Sequence, residues 1–158
     1  MANTQSMTTS FIEQLLTGTH NFGTAPVRAS GAADTFKAAL YEATATYDAS
    51  TTAYSVTGEV SGPGYSAGGV TVTNATPPAS TNSSATAGVA YWTPSASIVY
   101  TGVTLTTAFD AMLLYNSTQS NKAVAVFTFG SQTITSGNFT LTMPTNNTST
   151  ALLRLSTT

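Results

Sequence analysis

The chain has 158 residues, no cysteine, one histidine and a net charge of -2. This is room for one domain that buries most of its unfolded surface without staples. The lack of cysteine excludes disulfides, thiolate metal sites and cysteine nucleophiles together. Charged residues make up 6%, against about 25% in an ordinary domain, so the surface must be built from Ser, Thr, Asn, Gln and Ala. Four Lys+Arg give no electrostatic footprint for nucleic acid or anionic lipid. Weak net charge also leaves little self-repulsion to keep copies apart.

The first residues, MANTQSMTTS, show no basic region followed by an apolar one, and no apolar run approaches the ~20 residues that span a bilayer. The expectation is a protein kept in a cytoplasm, or assembled there into something larger. Ser10-Phe11-Ile12-Glu13 has the form of a capping box. Phe11, Ile12, Leu15 and Leu16 repeat at helical spacing and Gly18 is a natural stop. The pattern predicts an amphipathic helix of about two turns, too short to be stable alone, whose apolar face must dock on its own domain or on a neighbour.

From Ala33 the pattern becomes β-like. ADTFKAALYE places Phe36, Ala38 and Leu40 on one face and Thr35, Lys37 and Tyr41 on the other. TATYDASTTAYSVTGEV follows, rich in the residues strands favour, with a turn at Asp48-Ala49-Ser50. Gly62-Pro63-Gly64 and Gly68-Gly69 are turn signals. Val70–Val72 begins a short strand, and Asn74–Ala87 reads as an exposed Thr/Ser/Pro/Ala loop.

Short strands are then predicted at Val89–Trp92, Ser97–Thr101 and Val103–Thr106. The centre of the fold is a hairpin over Phe109–Phe129, in which FDAMLLYN and KAVAVFTF flank the polar turn STQSN. The unbroken run Met112-Leu113-Leu114 suits a strand covered on both faces. Gln132–Ile134, Phe139–Met143 and Ala151–Leu155 complete the set; Phe139, Leu141 and Met143 alternate with Thr140 and Thr142 as in a strand with one solvent face. Strands at this spacing with little helix predict an all-β fold, a single β-sandwich or jelly-roll-like domain over residues 25–158, preceded by an N-terminal arm, 1–24, that carries the helix.

Nothing in the sequence assembles a reaction centre. His20 has no recognisable nucleophile or carboxylate orienter beside it and reads as a loop or structural residue. Of the six carboxylates, Glu13 reads as a helix cap and Asp34 and Asp48 as turn residues; glycoside chemistry would need two carboxylates across a sugar ring, a pair such as Glu42 and Glu59. GPGYSAGG lacks the Lys-Ser/Thr of a phosphate-binding loop. One histidine and no cysteine offer little to a metal. The expectation is no enzyme, no cofactor and no metal. Tyr91, Trp92 and Tyr100 form either an aromatic platform for sugars or core and interface anchors. The Asn-x-Ser/Thr sequences that begin at Asn74, Asn82, Asn116, Asn138, Asn146 and Asn147 follow from composition.

Four blocks in order, SFIEQLLTGTHNF, ADTFKAALY, TTAYSVTGEVSGPGYSAGG and AMLLYNSTQSNKAVAVFTFG, resemble a family of small tailed-phage virion proteins. Some members resemble the capsid cement (decoration) proteins of short-tailed phages. The resemblance implies a β-sandwich or jelly-roll homo-oligomer, dimer or trimer, on the outer capsid surface. It would be assembled in the host cytoplasm, bound to the major capsid protein, and have no catalytic motif. A neck or tail structural protein and a carbohydrate-binding module are the alternatives. The residues expected at interfaces are Phe11, Ile12, Leu15, Leu16, Phe22, Pro63, Tyr65 and Trp92.

Overall fold

One hairpin sets the architecture. In the computed structural model, which describes residues 2–23, 33–81 and 88–157, β6 (Ile98–Asn116) and β7 (Lys122–Leu141) run antiparallel along their whole length. The turn between them passes through Ser120 and Asn121, both with left-handed backbone, at φ 55° and 58°. The segments expected as separate strands at Ser97–Thr101 and Val103–Thr106 are the first half of β6, and Gln132–Ile134 and most of Phe139–Met143 belong to β7. Register shifts between Tyr100 and Val103 and at three further points before Ala111 explain the difference. Glycines that read as strand breaks are absorbed as bulges, which bend a strand without ending it; Gly102, at φ 64°, is one.

Around the hairpin, β1 (Ser6–Met7) adds to β7, β2 (Phe36–Glu42) adds to β6, and β3 (Val70–Thr71) adds to β2, giving the sheet order β1-β7-β6-β2-β3. A second antiparallel sheet has the order β4-β5-β8, from β4 (Ala79–Ser80), β5 (Val89–Trp92) and β8 (Leu153–Ser156). The fold is therefore all-β and sandwich-like, with a single short helix among the described residues, α1 (Thr9–Leu16). The N-terminal residues dock on the hairpin, with β1 paired to β7 and α1 packed on β7. Residues 24–32, which contain the expected domain boundary, and 82–87 of the expected loop lie outside the described residues.

The five-stranded sheet is covered on both sides, which is why β2 and the middle of β6 are apolar without alternation. On one side Phe36, Ala38, Leu40, Met112 and Leu114 pack with Trp92 and Leu153 of the second sheet. On the other, Ala39, Tyr41, Leu113 and Tyr115 pack with Tyr47 and Tyr54. Fully burying a side chain the size of Leu or Phe is worth about 1.5–3 kcal/mol, and Leu113 and Leu114 are both sealed.

The cover on the second side is the stretch TATYDASTTAYSVTGEV, expected as strand. Among its residues only isolated bridges form, Tyr41 with Glu59 and Ala53 with Lys122. Its backbone closes on itself in turns (Ala45 N to Glu42 O, Thr51 N to Asp48 O, Glu59 N to Val56 O), while the Tyr41 and Tyr47 hydroxyls donate to carbonyls at Ser55 and Thr57. Its Tyr47 and Tyr54 face the sheet as a lid, while Val56 and most of its threonines point to solvent.

Candidate interaction surface

Helix α1 begins earlier than the capping-box reading places it. Thr8, not Ser10, is the N-cap: its hydroxyl accepts the Phe11 N–H at 3.3 Å, and it also faces the Ala123 and Val124 carbonyls of β7 at 3.2 and 3.3 Å. The tertiary contact fixes the start, so Glu13 lies mid-helix and exposed and caps nothing. The helix ends as the sequence predicts. Gly18 takes a left-handed φ of 64°, the Gly18 N–H reaches Leu15 O and the Thr19 N–H reaches Gln14 O, the pairing of a Schellman stop.

The two apolar pairs on this helix part company. Phe11 is buried and Leu15 packs on the core, whereas Ile12 is 48% and Leu16 89% exposed. Phe11, Phe22 and Trp92, expected at an interface, instead fill the chain's own core. The Phe22 and Phe36 rings stack at 4.2 Å, Trp92 meets Phe22 edge-on at 4.7 Å, and Phe11 meets His20 at 5.0 Å. Each large ring gains more from this packing than from waiting for a partner. Pro63 is exposed, in the turn against β6. Tyr65 is half-buried with its hydroxyl turned inward.

The platform of Tyr91, Trp92 and Tyr100 does not exist as a surface. Trp92 is 3% and Tyr100 1% exposed; the indole N–H donates to Asn74 Oδ1 and Thr76 O, and the Tyr100 hydroxyl donates to Ala38 O.

Two polar clusters are closed inside the fold. In one, Glu59 Oε1 accepts the Tyr65 hydroxyl at 2.7 Å and the Gly68 N–H at 2.8 Å, and Oε2 accepts the Tyr54 hydroxyl at 2.7 Å. Burial first, and then the Glu59 carboxylate, hold Tyr54 and Tyr65 far above the ordinary phenol range. Tyr115 is pushed up to about 12 by the same two causes. Glu42 and Glu59 therefore do not face one another across an open cleft; Glu59 is buried.

In the other cluster, Asp34 is buried and is no turn residue: it accepts from the Asn21 N–H, Asn116 Nδ2 and Gln119 Nε2. Asn116 Oδ1 is taken up by the Thr118 and Gln119 N–H groups, so its Nδ2 is the atom that faces His20 Nδ1 at 3.0 Å. Nδ1 therefore accepts, and His20 carries its proton on Nε2, donating to Gln14 Oε1 at 2.7 Å. The histidine is structural, as the sequence predicts. Asp48 also behaves as predicted: it binds the Ser50 N–H and hydroxyl, which lower its pKa.

No spacing signal marked the Glu59 or Asp34 clusters, because their partners come from loops whose contact depends on the hairpin. Among the described residues no group of three or more His, Asp or Glu is placed to hold a metal ion, and no helix is long and apolar enough to cross a membrane. Among the described residues, the large hydrophobic side chains open to solvent are Ile12 and Leu16 on the helix and Val56, Val99 and Leu155 elsewhere. No family model, no curated protein and no solved structure matches the chain.

Proposed function

We propose that this chain is a structural virion protein, a capsid cement or decoration protein. It would bind the major capsid protein on the outer surface of a phage shell as a homo-oligomer, acting through shape and contact, not catalysis. The reading rests on the resemblance of four ordered sequence blocks. The single observation that supports it in the fold is the division of labour between inside and outside. The polar clusters at Glu59 and Asp34 are spent on holding loops to the sheet, while the helix shows solvent two large aliphatic side chains, Ile12 and Leu16. Contact surfaces that carry few charges have few ions to desolvate. On a symmetric shell many modest contacts act together, so weak individual binding becomes durable.

Quantitative mass spectrometry of purified virions tests the reading. A cement protein is present in a copy number close to that of the shell subunits. A handful of copies per particle moves it to the neck or tail, and absence from intact particles removes the proposal.

A further inference from the structure

The far half of β7 keeps one edge bare. β1 reaches only Ala125 and Val126, and among the described residues the main chain from Phe129 to Leu141 pairs with β6 alone. The matching length of β6 is covered on its own outer side. There the Thr104 N–H donates to Pro63 O at 2.8 Å, and a Cβ on Gly64 would come within 2.2 Å of the Gly102 carbonyl oxygen. The other outer strands are short or charged: β3 and β4 have two residues each, and β8 has four, one of them Arg154. Short length, charge and proline are what keep exposed strand edges from pairing. Phe129–Leu141 is long and carries neither charge nor proline.

We propose that this edge pairs antiparallel with the same edge of a second copy, about a two-fold axis perpendicular to the sheet, so that two five-stranded sheets become one. The chemistry of the edge selects the occupant. An unpaired strand edge presents a row of N–H and C=O groups that only another extended main chain satisfies along its length. An antiparallel edge is its own complement under a two-fold axis, and every copy brings it. Such an axis also sets each charge near it against a like charge. This strand has none, nor has Ile98–Phe109 of β6 beside it. The register shifts of β6 against β7 bend the edge, and an identical strand has the same bend. Phe129, Ile134, Phe139 and Leu141 are half-buried against one core cluster. The axis keeps both copies' sets on the same face and lays them side by side, covering what each leaves open. Pairing along this length forms on the order of 10 main-chain hydrogen bonds, the number a stable protein interface carries. The inference deepens the homo-oligomer of the proposed function, on which its setting rests, and commits it to a dimer.

The test uses the purified full chain alone, so it can fail while the protein is still found in virions. Analytical ultracentrifugation at roughly 100 μM is expected to give twice the 16.1 kDa chain mass. Amide hydrogen exchange is expected to slow about tenfold or more over residues 129–141 between roughly 1 and 100 μM chain, with α1 and β8 unchanged. Thr135, exposed and at the midpoint of the edge, lies nearest the axis in the fully paired register. Thr135→Lys and Thr135→Glu should each be monomeric with an unchanged circular-dichroism spectrum, and an equimolar mixture of the two should recover the dimer. A monomeric parent, a trimer, or a dimer whose protection lies outside residues 129–141 would each overturn the inference. So would single variants that dimerise as tightly as the parent, or a folded mixture that stays monomeric. Should either variant fail to fold, the exchange measurement on the parent decides.

Discussion

The Tyr65 hydroxyl donates to Glu59 Oε1 at 2.7 Å and accepts the Leu40 N–H at 3.0 Å. One phenol thus ties the glycine-rich turn to a buried carboxylate and to the edge of β2. Tyr65→Phe keeps the ring and removes both bonds, leaving a buried carboxylate short of a donor and a backbone N–H without an acceptor. Such orphaned groups cost about 1–3 kcal/mol each. The expected outcome is a clear drop in the urea midpoint, with self-association unchanged at matched folded fraction. A variant as stable as the parent but impaired in assembly would return Tyr65 to an interface role.

The same cluster sets the response to alkali. Tyr41, Tyr54, Tyr65, Tyr100 and Tyr115 are all raised above the ordinary phenol value of 10.0, with Tyr115 at about 12 and burial the first cause in each. A raised folded-state pKa means the unfolded chain loses its phenolic protons first. The stabilisation is complete below pH about 10 and is lost as pH climbs through the folded values. Near-ultraviolet circular dichroism and tyrosinate absorbance should therefore change together in one cooperative step above that pH. A gradual, residue-by-residue titration with the tertiary signal intact would contradict the buried network.

Much of this fold is legible in the sequence, for a physical reason that also marks where legibility stops. β2, β5, the hairpin and the stop at Gly18 are encoded by periodicity, turn residues and an apolar run, all local. The N-cap at Thr8 is not, because what selects it is the contact with β7 carbonyls far along the chain. The lid from Thr44 to Val60 has strand-like residues and no strand, since its tyrosines are held by side-chain bonds that no period reveals. Phe11 and Leu16 occupy one predicted apolar face, yet one is sealed and the other bare. Which side of a two-turn helix meets the body is decided by the docking angle, which the helical spacing does not contain.

Two glycines separate conformational strain from steric exclusion. Gly69 has φ 67°, and a Cβ there would sit 1.7 Å from the Ala38 carbonyl oxygen, with no flexible side chain to give way. Gly102 has φ 64°, but a Cβ would meet nothing within 4 Å. Gly102→Ala should therefore cost only the left-handed backbone penalty, about 1–2 kcal/mol. Gly69→Ala must also push β3 off β2 and should lose more than about 4 kcal/mol, in the range reserved for broken structural constraints. Thermal melts of the two variants give the ordering directly, and equal losses would show that the close approach of β3 to β2 is not real.

Trp92 decides between a ligand-facing and a structural role for the only tryptophan. Its ring lies 4.7 Å from Phe22 and 6.1 Å from Phe36 of the other sheet, and its N–H is shared between Asn74 Oδ1 at 3.0 Å and Thr76 O at 3.1 Å. Trp92→Ala removes the contact that joins the sheets and should cost about 3–5 kcal/mol. Trp92→Phe retains most of the ring and orphans the two acceptors, so a smaller loss of about 1–3 kcal/mol is expected. Circular dichroism in denaturant reads both, because the fluorophore is gone. The two values together isolate the hydrogen bonds from the packing. A sugar-stacking residue would behave in the opposite way: truncation would leave the melting curve in place and abolish glycan binding, which a buried indole cannot support.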